Sequence, residues 1–543
     1  MVFARRSTTL LAAIIASCAM VLSLTACTSD NKTVVDGQTT VTSNSAGGVA
    51  VFTPSDGITL NQQVPLNKWA KLVPDLTKAL VDAGFKKGDI NHTTSDSLAK
   101  QSRAIQDFVV EHLSNNTTDD SGIAIAPDNM TLLVAPVVEA DASTRQYGDY
   151  VSQNLSTNDV TDEGATSDGE SSEDDSSKDD SSNTESDSTA SDEQAQAVDR
   201  LVSSLKLAKE SGMHVVLLGN SIEGYKPDAF VKFSDAQTIG KLQAEKMVSK
   251  LKLDKASKDN PKYIEVLLPY TAVDEKGNAN DSTFAQEAFR GIWQVLGSYY
   301  QKGVVESPSG TLDGKSTEND WQAVAYDAAK EGSTAKVLDK RLAKTDGQST
   351  LTRIDGIITM NDYIASEVVK ELDDLGYTGS AADINPQITI SGIVGNITGK
   401  KDLSRDAVPD PIKSPENDNA NDSSSSDDDA DEDTSASDKD RDSQWPLVTG
   451  YGAYVSNIPS IVNGKQWMTG MEDRQTIATD IAQACAKLNK DEALNSMPSI
   501  RNSEVGGVKK IPTISEPLLA VSASNLKSAL IDPGYISLAD AGL

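Results

Sequence analysis

Short continuous apolar runs alternate with windows of helical period along most of the chain. Val49-Ala50-Val51-Phe52, just after Gly47-Gly48, reads as a buried strand. Trp69, Leu72, Val73, Leu76, Leu80 and Val81 follow at helical spacing, and Gly84 ends that helix. Ile105, Phe108, Val109 and Leu113 mark a second helix, and Thr131 to Ala135 a second strand. Leu201, Leu205, Leu207 and Ala208 lead into the apolar run Met213 to Leu218, and Ile239, Leu242, Met247 and Leu251 form the next helix. The pattern then restarts. Strands are expected at Tyr263 to Leu268, Ile354 to Thr359, Ile388 to Ile390 and Leu447 to Thr449. Helices are expected through Phe284, Ala288, Ile292, Val295 and Leu296, then through Ile364, Val368, Val369 and Leu372. Apolar, β-branched runs separated by helices predict parallel sheets covered on both faces. Two such series predict an α/β fold of two doubly wound lobes. Ligands bind such sheets at the carboxyl ends of the strands, so the cleft between the lobes is the expected site.

Charge changes this picture only locally. The formal net charge is −32, but two Ser/Asp/Glu-rich runs, Asp159 to Glu193 and Glu416 to Asp442, supply −23 of it. Both lack aromatic residues and nearly all aliphatics. They cannot bury enough surface to offset ordering entropy, and they read as disordered acidic inserts in surface loops. The remainder is mildly acidic, without the basic patches that nucleic acid requires. Asp427 to Asp433 lacks the glycine and spacing of an EF-hand loop.

Arg5 and Arg6 precede a mostly apolar run from Leu10 to Leu24. That run is shorter than the about 20 apolar residues of a membrane span and fits the core of an export signal. Leu24-Thr25-Ala26-Cys27 resembles the lipobox of bacterial lipoproteins. The resemblance implies a diacylglyceryl group on Cys27, cleavage before it, and a place on the outer face of the cell membrane. Two acyl chains anchor stably where one does not. Residues 28–47 are polar and read as a flexible stalk.

Catalytic chemistry finds no foothold in the sequence. His92, His112 and His214 are scattered, and no His/Cys cluster has metal-ligand spacing. No nucleophile elbow or phosphate-binding loop is present. Cys485 shares a helical stripe with Ile477, Ile481, Ala484 and Leu488 and reads as a small buried hydrophobe. No catalytic residue, metal or cofactor is expected.

Several stretches, in order, resemble the type I periplasmic binding proteins of ABC importers, closest to the xylose- and multiple-monosaccharide-binding group. They are Lys68-Trp69, Ala208 to Val216, Ser234-Asp235 with Ile239 to Ala244, Met360-Asn361-Asp362, Ile461 to Thr469, and Pro517 to Tyr535. The resemblance implies two lobes joined by three crossovers, near Asp235, near Gly470 and within 495–512. It places a signal peptide at 1–27 and the first lobe at 48–254, with an insert at 156–196. The second lobe is 255–470, with an insert at 404–444; 471–494 returns to the first lobe, and 495–543 holds the last crossover. A monomer is expected, with a small-molecule ligand, a carbohydrate by resemblance, and ABC permease subunits as partners.

The resemblance also implies the ligand-binding set Lys68, Trp69, Asn220, Trp321, Asn361 and Tyr451. Trp69 also fits a core stripe, Asp362 a helix cap, and Tyr454 lies beside Tyr451 at the same strand end. Four positions depart from the family pattern. Its Asp-Arg pair is Asn220-Ser221, its helix Asn falls near Phe284, its Gly-Gln-Asp is Gly450-Tyr451-Gly452, and a basic residue is replaced near Glu472. The pocket keeps aromatic and amide character and loses its charge network. That leaves open a larger, modified or non-sugar ligand, and a sensing or surface-interaction role on the same fold.

Overall fold

The computed structural model describes residues 33–35, 38–40, 46–55, 65–115, 125–138, 145–150, 153–156, 184–273, 280–328, 330–343, 351–382 and 445–543. Cys27, the expected strand Ile388 to Ile390, the second acidic run and most of the first lie outside these residues. Within the first forty-four residues, Thr33–Val35 pairs antiparallel with Gln38–Thr40. The sequence between the two segments is Asp-Gly, a dipeptide common between paired strands. The span expected to be a flexible stalk therefore holds two short paired segments.

From Ser45 onward, two sheets form. The first has seven strands in the order Ile500–Val505, Val508–Ser515, Ala229–Lys232, His214–Leu218, Met130–Val134, Gly48–Pro54 and Ile90–Ser95. All its pairings are parallel except the first, a hairpin. The second has six strands: Val305–Glu306, Lys262–Val266, Gly356–Ile358, Leu447–Tyr451, Met468–Met471 and Leu519–Ser522, the last antiparallel. Both have helices packed against them, as the continuous apolar strands require. The helix Trp69–Asp82 buries Trp69, Leu72, Leu76 and Leu80, whereas Val81, expected on that stripe, is exposed. Leu113 and Leu207 are likewise exposed rather than buried. The helix Thr184–Glu210 begins inside the span 156–196, so the tail of the expected acidic insert is helical.

Three passages join the sheets. Residues 233–235 lead from the first sheet to the helix Ala236–Leu251 on the second. Gly470 lies inside a strand, and the return passage is 472–473, leading to the helix Arg474–Leu488 against Trp69–Asp82. The third passage is 516–518, not within 495–512, because the hairpin Ile500–Val505/Val508–Ser515 stays on the first sheet. In the second lobe the helices Ala236–Leu251 and Thr283–Gln301 meet at two glycines. A Cβ on Gly240 would stand 2.2 Å from the Ala288 carbonyl oxygen, and one on Gly291 2.0 Å from that of Gln237. No helix among the described residues is long and apolar enough to cross a membrane.

Candidate functional site

The site is built where strand ends of both sheets face one another. The strand Gly356–Ile358 runs out through Met360, whose φ of 69° is left-handed without being glycine, into Asn361. Next to it, Leu447–Tyr451 ends in Gly452 and Ala453, the latter also left-handed at 49°. Such backbone conformations cost free energy and persist where the surroundings impose them, often at functional sites.

The surroundings here are a buried polar hub on Asp362. Gln466 donates to its Oδ1 at 2.7 Å, and the Thr469 hydroxyl and the Tyr454 N–H donate to Oδ2 at 2.8 and 2.9 Å. Asn457 donates to its backbone oxygen at 2.7 Å. Burial pushes the carboxyl pKa up to about 6 despite these donors. Gln466 and Thr469 belong to the stretch Ile461 to Thr469, so part of that motif positions the Asn361 loop. The helix Asp362–Leu375 is capped by Asn361, whose Oδ1 accepts from the Ile364 N–H at 2.9 Å; Asp362 is the hub, not the cap.

A second buried carboxylate ties two passages together. Glu472 accepts from the Ser234 N–H at 2.7 Å, from the Ser234 hydroxyl, and from the Tyr451 hydroxyl at 3.3 Å. Burial raises its pKa, and the Ser234 donors oppose that. Burial, then the Glu472 charge, raises the Tyr451 phenol. Thus the replaced positions near Glu472 and at Tyr451 form a clasp between the first and second connections.

The expected residues fall into three groups. Lys68 and Trp69 sit together at the start of the helix Trp69–Asp82. Lys68 cannot cap it; Asp149 does so instead, accepting from the Trp69 N–H at 3.0 Å and pairing with the Lys68 ammonium at 2.8 Å. The Trp69 ring is buried edge-on against Tyr150 at 5.0 Å and Phe233 at 5.7 Å. Asn220 accepts from the Gln153 N–H at 3.0 Å and donates to the Pro136 carbonyl at 2.9 Å. On the second lobe, Asn361 and Tyr451 lie at neighbouring strand ends. Trp321, at the start of a short helix, stands edge-on to Tyr270 at 5.1 Å.

What joins the lobes is a turn whose role the sequence reading missed, residues 145–150. Gln146 accepts from the Asn361 side-chain amide at 3.1 Å, and its carbonyl accepts from the Tyr454 hydroxyl at 2.7 Å. The Tyr147 ring lies 4.7 Å from that of Phe284 and 6.3 Å from that of Tyr451. Its hydroxyl is buried, with no close hydrogen-bond partner among the described residues. Burial drives the Tyr147 pKa up, with the nearby Asn361 amide opposing. The only hint in the sequence was Tyr147-Gly148-Asp149-Tyr150, two aromatics and a glycine in a span otherwise polar. Among the described residues no cluster of His, Cys, Asp and Glu could hold a metal ion.

The fold and site together define a two-lobed α/β protein with three interlobe passages and an aromatic, amide-rich junction at the strand ends. No protein-family profile matches the chain, and no curated protein matches it in sequence. Among solved structures, it is similar to an ABC transporter solute-binding protein from Clostridium phytofermentans with bound β-D-glucose. The identity is 16%, the match covers 91% of this chain and 99% of that chain, and the TM-score is 0.44. It is also similar to a carbohydrate transporter solute-binding protein from Chloroflexus aurantiacus in complex with D-glucose, with 19% identity, 92% and 98% coverage and a TM-score of 0.41. A solute-binding protein from Bacillus halodurans with bound myo-inositol has 11% identity, 90% and 98% coverage and a TM-score of 0.35.

Proposed function

We propose that this chain is an extracytoplasmic solute-binding lipoprotein of an ABC importer, tethered through Cys27, which captures a carbohydrate between its lobes. The observation that supports the reading is where the two lobes meet. Asn361, Tyr451, Tyr454 and Phe284 of the second lobe face the first-lobe turn 145–150 there and supply amide, hydroxyl and ring surfaces. Rings stack on the apolar faces of sugars, and amides bond their hydroxyls. Hinge motion at 233–235, 472–473 and 516–518 opens and closes the lobes, and guest contacts with both favour the closed form. The closed form then docks on the permease. Lys68, Trp69, Asn220, Trp321, Asn361 and Tyr451 remain the proposed binding set.

A panel of mono- and oligosaccharides read by thermal unfolding tests this. A ligand at one hundred times its Kd adds about 2.7 kcal/mol to stability, a shift of several degrees. At least one member is expected to produce it. No shift with any member would end the sugar-receptor reading.

A further inference from the structure

The turn 145–150 engages the crevice as a guest would. On the first lobe, its Asp149 carboxylate meets the Lys68 ammonium at 2.8 Å, and its Tyr150 ring meets Trp69. On the second lobe, Gln146 meets the Asn361 amide, and Tyr147 packs beside Phe284 and Tyr451. Four of the six residues expected to bind ligand are thereby contacted by one short stretch of the chain's own backbone and side chains. The stretch belongs to the first lobe, where the Asp149 N–H donates to Asn67 at 2.8 Å and the Tyr150 hydroxyl to the Lys68 carbonyl at 2.5 Å. Its Tyr147, however, is 1% exposed within the apolar core of the second lobe.

We propose that the turn 145–150 is a tethered occupant that holds the two lobes closed with no guest between them. An intramolecular group acts at a high effective concentration, so a short turn can do what a free ligand of similar chemistry does only when abundant. A guest that enters the same crevice must first displace Tyr147. The residue types agree with this role: the aromatic rings of Phe284 and Tyr451 lie 4.7 and 6.3 Å from that of Tyr147. The inference rests on the receptor reading only for the guest; closure is measurable without one.

Small-angle X-ray scattering of the full chain, with no sugar present, provides the test. Tyr147→Ala removes the inserted ring. Gly148→Ala dislodges the turn without entering the second-lobe core. Gly148 has a φ of +96°, and its added Cβ would stand 2.5 Å from the Asn67 carbonyl oxygen. Tyr147→Phe keeps the ring and drops only the hydroxyl. The expected result is a larger radius of gyration for Tyr147→Ala and Gly148→Ala, with unchanged far-ultraviolet circular dichroism, while Tyr147→Phe matches the wild type. Four indistinguishable scattering curves from folded proteins would overturn the proposal. So would expansion confined to variants that lose secondary structure. A sugar that binds wild type while all four proteins scatter alike would leave the receptor reading standing and this one refuted.

Discussion

Arg341→Met is expected to lower the unfolding free energy by about 3–5 kcal/mol, the cost of stripping a buried charge of its partner. Arg341 ends the helix Ser333–Arg341 and reaches under the second sheet. Its guanidinium meets Glu265 at 3.3 Å and donates to the carbonyls of Val266 and Val324 at 2.5 and 2.9 Å. The Glu265 side chain is wholly buried, and its other oxygen accepts the Ser309 N–H at 2.9 Å. Burial already raises the Glu265 pKa, with the Arg341 charge opposing. Without Arg341 the carboxyl has little to keep it ionised, so the loss is larger at pH 8 than at pH 5. Adding Glu265→Gln recovers most of it, because the orphaned charge rather than the missing pair is the main cost. Urea titrations of the two variants measure this. A single variant within about 0.5 kcal/mol of wild type, the range of ordinary surface changes, would show the pair to be idle.

The second large effect lies at Asp362 and depends on pH. Asp362→Asn puts an amide where three donors converge, from Gln466, Thr469 and the Tyr454 N–H. At least one donor then faces another, and each buried donor left unpaired costs about 1–3 kcal/mol. The wild-type carboxyl has a folded pKa of about 6, above the unfolded value of about 3.9. The folded state therefore prefers the protonated form. That preference adds stability below about pH 4 and is lost as pH rises to 6; a shift of this size is worth about 3 kcal/mol. The variant lacks this dependence. The gap between wild type and Asp362→Asn is thus widest near pH 4 and narrows by about 3 kcal/mol by pH 7. Calorimetric unfolding across that range reads it directly. A gap that widens with pH would mean that the buried carboxylate is favoured as an anion.

The lobes were legible because their central strands are continuous apolar runs, which only a sheet covered on both faces explains. Other elements carried weaker signals. Ile90–Ser95 is an edge strand whose middle residues are exposed and polar, so no alternation marks it. The hairpin that moved the third passage has Gly506-Gly507 at its turn, both left-handed, a two-residue signal that tertiary pairing makes meaningful. Within the site, the family resemblance rather than local pattern led to Asn361 and Tyr451, which lie at neighbouring strand ends. It did not lead to Gln146 or Tyr147. The Asn361–Gln146 contact spans 215 residues of sequence, and nothing periodic in a short turn states which lobe its aromatic ring will enter. Asp149 escaped for a similar reason. It supplies from a distant loop the cap that Lys68 cannot give its own helix.

The central claim, that guest is held where Asn361 reaches into the crevice, is tested most directly by titration calorimetry. The ligand is the sugar with the largest thermal shift, and the proteins are wild type and Asn361→Ser. Serine keeps a helix cap and removes the side-chain amide that would meet the guest. The account predicts a Kd at least about tenfold weaker in the variant, a difference of about 1.4 kcal/mol. The same Kd for both proteins would contradict it and put the guest elsewhere.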